Sequence, residues 1–244
     1  MAIRQKVHDE EKQRKLENYR RQNRYILPHQ YLFTGSSLME QFPVSEYWME
    51  EKLYETTGKI CYNRAIGGYT TDEFLNSIDI LLLDVCPQTV FLNIGTNDIS
   101  LREDGENWLV HLQKQYDAIL KIATNKLPKT TFYLLAYYPV NRTVLEKDRV
   151  IALGFSLRGK ENLDRANQAV KKLADKYHVQ YIDVNRGLSD ENGQLKESLT
   201  VEGIHIYADG YRKVFENLKP YIMLLRSEER RVGKECRSRW SPYH

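Results

Sequence analysis

Disulfide scaffolds, metal cages and membrane spans are all poorly served by this chain. Cysteine occurs three times in 244 residues, too seldom for the cross-linked framework on which small secreted folds depend. Cys236 lies in a terminal stretch set aside below, while Cys61 and Cys86 sit in apolar surroundings where a buried free thiol is the ordinary outcome. A reducing compartment is expected, and with it a cytoplasmic location. His8, His29, His111 and His178 show no ligand spacing with those cysteines, so neither a metal nor any other cofactor is expected. No apolar run reaches the roughly 18 residues that cross a bilayer. Met1 to Arg24 is crowded with charge and has no apolar core of the kind a signal peptide carries. The motifs G-x-x-x-x-G-K-[ST], G-x-G-x-x-G and H-E-x-x-H are missing, which removes nucleotide-triphosphatase, dinucleotide and zincin chemistry. No G-x-S-x-G occurs either, so the strained nucleophile elbow of the α/β-hydrolases is not supported.

Excess charge of one sign is missing as well. The net charge is +3, and Arg226 to His244 supply six of the 36 basic and only three of the 33 acidic residues. The remainder is balanced, and a nucleic-acid partner is not expected. That terminal stretch resembles the in-frame translation of a common short-read sequencing adapter, and it is expected to be a non-native, disordered tail. Residues 1–24, rich in Glu, Lys, Arg and Gln without a strong apolar stripe, are expected to form a solvent-facing helix. Residues 25–225 then make one domain, of a size that supports a single core.

Within that domain, short apolar runs alternate with segments of helical period. Strands are expected near residues 30–34, 59–63, 88–94, 130–137 and 179–183, with helices near 44–55, 70–84, 106–125, 160–177 and 207–222. Strands separated by helices imply a parallel sheet covered on both faces, a three-layer α/β/α sandwich with five parallel strands. Residues 139–159 form the least regular piece, either a substrate-covering loop or an ordinary surface connection.

The polar residues that follow the strands carry the chemistry. Tyr31-Leu32-Phe33-Thr34 breaks at Gly35 and then shows Ser36 and Ser37, and Val90-Phe91-Leu92-Asn93-Ile94 breaks at Gly95-Thr96-Asn97-Asp98. Near the far end, Glu202 precedes His205 by three residues. A serine needs a neighbouring base to become a nucleophile, and a histidine oriented by a carboxylate supplies one near neutral pH. Tyr69, Tyr137 and Tyr138 follow strand ends and are candidates for an aromatic pocket wall.

Four blocks in order, Gly35-Ser36-Ser37-Leu38, Asn63 to Thr70, Gly95-Thr96-Asn97-Asp98 and Glu202-Gly203-Ile204-His205, resemble those of the SGNH, or GDSL-type, hydrolases. The resemblance implies a flavodoxin-like fold with Ser37 as nucleophile, His205 as base and Glu202 as its orienting acid. Ser37, Gly68 and Asn97 would form the oxyanion hole. It also implies a small-molecule ester substrate, with a small acyl or O-acetyl group, cleaved through an acyl-enzyme. Two departures stand out: Ser36 where the family has aspartate, and Glu202 where it has the shorter acid. They keep open a second reading, a homologue that binds a ligand or carbohydrate without chemistry.

Overall fold

The computed structural model describes the backbone of residues 2–102 and 104–238 and the side chains of residues 6–102 and 104–223. Five strands form one sheet: β1 (Tyr31–Gly35), β2 (Cys61–Asn63), β3 (Thr89–Asn93), β4 (Thr131–Leu135) and β5 (Gln180–Ile182). All pairings are parallel and the order is β2-β1-β3-β4-β5. β1 and β3 are buried at every position, as parallel strands covered on both faces must be, and for that reason they read as unbroken apolar runs.

Alternation of side chains across the pleat divides the core into two layers. Leu32, Val90, Leu92, Phe132 and Leu134 enter one layer. Phe33, Phe91, Tyr133 and Leu135 enter the other. Register places Phe33 beside Phe91 and Phe91 beside Tyr133. The rings stack at centroid separations of 4.8 and 5.1 Å, a ladder across the three central strands.

Helices cover both faces. The first layer packs against α5 (Thr71–Asn76), α6 (Trp108–Lys126) and α9 (Lys160–Tyr177). The second packs against α3 (Val44–Glu50) and α10 (Ala208–Ser238) through Trp48, Tyr211, Phe215 and Leu218. Thr70 and Glu73 close a reciprocal capping box at the start of α5, and the Asn107 side chain caps α6; each satisfies amides that the first helical turn leaves without partners.

Strand positions agree with the sequence expectation within a few residues, and the helices depart from it where local chemistry intervenes. The expected helix 44–55 is two, α3 and α4 (Leu53–Thr57), because Lys52 takes a left-handed conformation with φ of 50°. The expected 70–84 helix ends at Asn76 and is followed by a π-helical turn, Asp79–Leu83. The irregular segment 139–159 holds two short helices, α7 (Arg142–Leu145) and α8 (Arg149–Gly154). α10 is helical to Ser238, where a disordered tail was expected for 226–244, and residues 239–244 of that stretch lie outside the described residues. Among the described residues, no helix is long and apolar enough to cross a membrane.

The first helix, α1 (Ala2–Gln22), corrects a further expectation. Its outer face is exposed, but Leu16 and Tyr19 pack on the core and the Lys12 side chain is buried. The Tyr19 hydroxyl donates to the Ala65 carbonyl at 3.0 Å. Lys12 donates to the Gly68 carbonyl at 3.1 Å and to Glu73 at 2.8 Å. Residues 12, 16 and 19 recur at helical spacing, but only two of them are apolar, so the docking face is nearly invisible to a hydrophobicity pattern.

Candidate active site

Strand order reverses between β1 and β3, since β2 lies beyond β1 on one side and β4 beyond β3 on the other. In open parallel sheets the crevice at such a reversal, beyond the carboxyl ends of the strands, is where ligands bind. Ser37 follows β1 and Asn97 follows β3 at that crevice.

The chain leaves β1 through Gly35, passes Ser36, and enters α2 (Ser37–Glu40). Gly35 has a φ of 148°, and a Cβ there would lie 1.9 Å from the Asn93 carbonyl oxygen; only glycine lets β1 press this closely on β3 while turning the next residues outward. Ser36 is buried, and its hydroxyl has no hydrogen-bond partner among the described residues. Ser37 faces the cleft instead.

Three side chains meet there. The Ser37 Oγ lies 2.9 Å from His205 Nε2, and His205 Nδ1 lies 2.5 Å from Glu202 Oε1. An ionised carboxylate only accepts, so Nδ1 carries the ring proton and Nε2 accepts from the Ser37 hydroxyl. The same Glu202 oxygen accepts from the His205 backbone N–H at 3.1 Å. The longer acid therefore folds back and grips its histidine at two points. Burial alone would raise the Glu202 carboxyl, but the hydrogen bonds and charge of His205 outweigh it and hold the group below the usual glutamate value.

Candidate donors lie beside this triad in the same cleft. Among the described residues, neither the Ser37 nor the Gly68 backbone N–H has an acceptor. Gly68 has a φ of 74°, and a Cβ on it would meet His8 Nε2 at 2.5 Å, so α1 closes over this turn. The Asn97 amide is held at both ends: Nδ2 donates to the Tyr69 carbonyl at 2.8 Å and Oδ1 accepts from Arg158 Nη2 at 2.5 Å. Because a guanidinium cannot accept, the amide has one allowed orientation, with the second N–H of Nδ2 left over.

These groups line a cleft of about 340 Å³, whose walls include His8, Lys12 and Lys15 from α1 and Phe155 and Arg158 from the 139–159 segment. Part of that segment therefore lines the cleft. The tyrosines do not belong to the cleft, contrary to expectation. Tyr69, Tyr137 and Tyr138 are all buried in the core. Tyr137 donates to the Ile94 carbonyl at 2.7 Å, Tyr138 points at the Met39 sulfur, and Tyr69 gives its backbone carbonyl to Asn97 while its ring lies beneath the Lys12 ammonium, 5.6 Å from the ring centroid. Turn positions after a strand were read as a pocket wall, but the chain dives back into the core there. Sequence reasoning missed His8, Lys12, Lys15, Phe155 and Arg158; for Arg158 the one available signal was its place in the irregular segment.

Behind the cleft, Asp72, Asp98 and His111 lie within 4.8 Å of one another. His111 is clamped by Asp72 at 2.7 Å and Glu106 at 2.8 Å. Burial disfavours its charged form, yet the two carboxylates outweigh burial and raise it. With a carboxylate on each ring nitrogen, His111 braces α6 against α5 and against the segment that leads into α6. Asp98 accepts from the Thr71 backbone and hydroxyl, tying the Asn97 turn to the start of α5. Burial pushes Asp98 up to about 6 from its ordinary 3.8, against the pull of those bonds. Between about pH 4 and 6 the folded chain keeps a proton that the unfolded chain has lost, so stability falls as pH rises through this window. Asp98→Asn is expected to flatten that fall, which at two pH units amounts to about 3 kcal/mol; melting temperatures from about pH 4 to 7 would show it.

Comparison with known proteins gives consistent findings. The family model of the GDSL-like lipase/acylhydrolases matches residues 33–213. An isoamyl acetate-hydrolyzing esterase of Saccharomyces cerevisiae is 33% identical over 77 residues, 32% of this chain and 32% of that enzyme. The match to this curated relative thus spans about a third of its length. A Streptococcus pneumonia structure whose description names platelet activating factor superposes with a TM-score of 0.77 at 29% identity, covering 91% of this chain and 97% of that one. A catalytic mutant of an acetylxylan esterase from Geobacillus stearothermophilus superposes with a TM-score of 0.62 at 13% identity, over 80% of this chain and 95% of that one, a likeness of fold.

Proposed function

Because the chain belongs to the GDSL-like lipase/acylhydrolase family, we propose that it hydrolyses carboxylic esters of small acyl groups, O-acetyl esters among them, through an acyl-enzyme on Ser37. The observation that carries this reading is the hydrogen-bonded chain from Glu202 through His205 to Ser37 at the mouth of the β1/β3 crevice. His205 Nε2 takes the hydroxyl proton as Ser37 Oγ attacks the ester carbonyl, and the charge that develops on the carbonyl oxygen meets the N–H groups of Ser37, Gly68 and Asn97. The proton then passes to the leaving alcohol. Water, activated by the same nitrogen, attacks the acyl-serine, and the acid and free Ser37 result. A cytoplasmic location is part of this reading, supported by the free thiols of Cys61 and Cys86. The substrate is a small molecule, and the balanced charge of the domain gives no support to nucleic acid.

A fluorophosphonate probe tests the reading directly. Wild-type protein is expected to be labelled at Ser37, and the Ser37→Ala chain is not. A folded wild type that resists the probe and hydrolyses no ester would instead be a binding homologue. Asn97→Ala is expected to lower kcat for p-nitrophenyl acetate by about 10² to 10³, the usual loss for one oxyanion donor, with little change in KM. An unchanged kcat would remove Asn97 from the oxyanion hole.

A further inference from the structure

Arg158 is the least satisfied cation of the cleft. Only 6% of the residue is exposed, yet among the described residues it makes no salt bridge; one Nη2 bond to the neutral Asn97 amide is the one hydrogen bond of its side chain, and its Nε has no partner. Asp98 and Glu202 act on it only through space, and burial pulls it down to about 10. The Phe155 ring covers the guanidinium, with its centroid 4.3 Å from Cζ. By contrast, the two lysines of the same cleft are neutralised, Lys12 by Glu73 and Lys15 by Glu40. A buried charge without an anionic partner is costly, and proteins keep one where a ligand supplies the missing charge.

Resting on the esterase reading of this site, we propose that Arg158 recognises an anionic oxyacid group, phosphate or carboxylate, carried by the alcohol part of the ester. The guanidinium is the side chain best suited to that partner, since its donors match the paired oxygens of either group. The cleft walls also point to the alcohol side. His8, Glu11, Lys12, Lys15, Glu40 and Arg158 surround the opening, and among the described residues Phe155 is its one large apolar side chain, so a long acyl chain finds no groove while a polar, charged alcohol finds polar surroundings. Through its bond to Asn97, Arg158 also couples recognition to the oxyanion donor: binding of the anion fixes the guanidinium, and the guanidinium fixes the amide.

Three acetate esters of one alcohol framework test this: 1-acetylglycerol, 1-acetylglycerol 3-phosphate and 3-O-acetylglycerate, with acetate release as the readout. Wild-type kcat/KM is expected to favour one or both anionic esters over the neutral one by about 10-fold or more, the worth of a single charge-assisted hydrogen bond. Phosphate and carboxylate are separated by which of the two gains. Arg158→Gln is expected to abolish the preference mainly by raising KM for the anionic ester, and Arg158→Lys, which keeps the charge but not the fork, to keep part of it. A merely structural Arg158 would lower kcat for all three esters alike and leave their ratio intact, which would overturn the proposal. So would a wild type indifferent to the anion. Should Arg158→Gln fail to fold, the lysine variant and calorimetric titration of the Ser37→Ala chain with glycerol 3-phosphate and with glycerate decide: binding of either that weakens at least 10-fold in Ser37→Ala/Arg158→Lys supports the site, and no binding of either overturns it. Failure of the esterase reading shows separately, as the absence of any acetate release that depends on Ser37.

Discussion

Ser37→Ala is expected to reduce kcat for p-nitrophenyl acetate by about 10⁶-fold, to little above the residual catalysis of the oxyanion donors, and His205→Ala to come close to the same level. The two losses are not additive. Ser37 without its base is an ordinary hydroxyl, and His205 without the hydroxyl has only water to activate, so the double variant is expected to be no slower than the worse single one. Geometry supports this coupling, with 2.9 Å between Oγ and Nε2 and Nδ1 tied to Glu202 at 2.5 Å. Both variants are expected to fold. Ser37 opens a helix at the cleft, and the His205 side chain is a quarter exposed, so little buried packing is lost. Equal melting temperatures beside lost turnover would separate chemistry from stability. A Ser37→Ala chain retaining full turnover would rule out this nucleophile, and with Ser36 buried away from His205 no neighbouring serine is placed to replace it.

The largest effect on stability is expected at Gly35. Alanine there places a Cβ 1.9 Å from the Asn93 carbonyl oxygen and 2.7 Å from the Asn93 carbonyl carbon. Those are backbone atoms of β3, which is paired with β1 through the Gly35 to Asn93 register and with β4 on its other side. Neither strand can retreat without breaking a ladder, and the φ of 148° is itself poor for any residue with a Cβ. The expected cost exceeds about 4 kcal/mol, in the range reserved for core disruption and special backbone positions, and most of the chain should be recovered unfolded or aggregated. Gly154→Ala is the control: nothing lies within 4 Å of its Cβ position and its φ is not positive, so in α8 the change should be neutral or stabilising by up to about 1 kcal/mol. Urea midpoints of the two variants beside the parent chain would measure the contrast. A Gly35→Ala chain with the parent midpoint would mean that β1 and β3 are less closely joined than the register implies.

The sheet was legible because strands buried on both faces must be apolar at nearly every position, and Val90 to Leu92 or Leu32 to Thr34 cannot easily be anything else. The candidate triad and donors were legible because glycine and polar residues interrupt those runs at the strand ends, where a parallel sheet opens its crevice. Exposure was harder to read. Tyr137 and Tyr138 look like rim residues in sequence, yet the phenol of Tyr137 finds the Ile94 carbonyl inside the core, and one internal acceptor suffices to bury a tyrosine. α1 was harder to read for the opposite reason: beside Leu16, its contact with the core uses the long stem of Lys12 and the hydroxyl-bearing ring of Tyr19, groups that hydropathy counts as largely solvent-seeking. Arg158 belongs to the same class, a charge whose burial depends on Phe155 and Asn97 meeting it in space.

The meeting of His8 and Lys12 from the start of the chain with His205 from near its far end has a consequence for when the protein becomes active. Ser37 and His205 are 168 positions apart, and the helix that roofs Gly68 is made before either. A chain emerging from the ribosome holds the proposed nucleophile and the whole candidate donor set by Asn97, when three of the five strands have been made, but it has no base with which to use them until His205, after the last two strands. On the proposed mechanism, hydrolysis is expected only once His205, in the segment between β5 and α10, has joined Ser37, so catalysis would double as a gauge of completed folding, silent in every intermediate that lacks that closing turn.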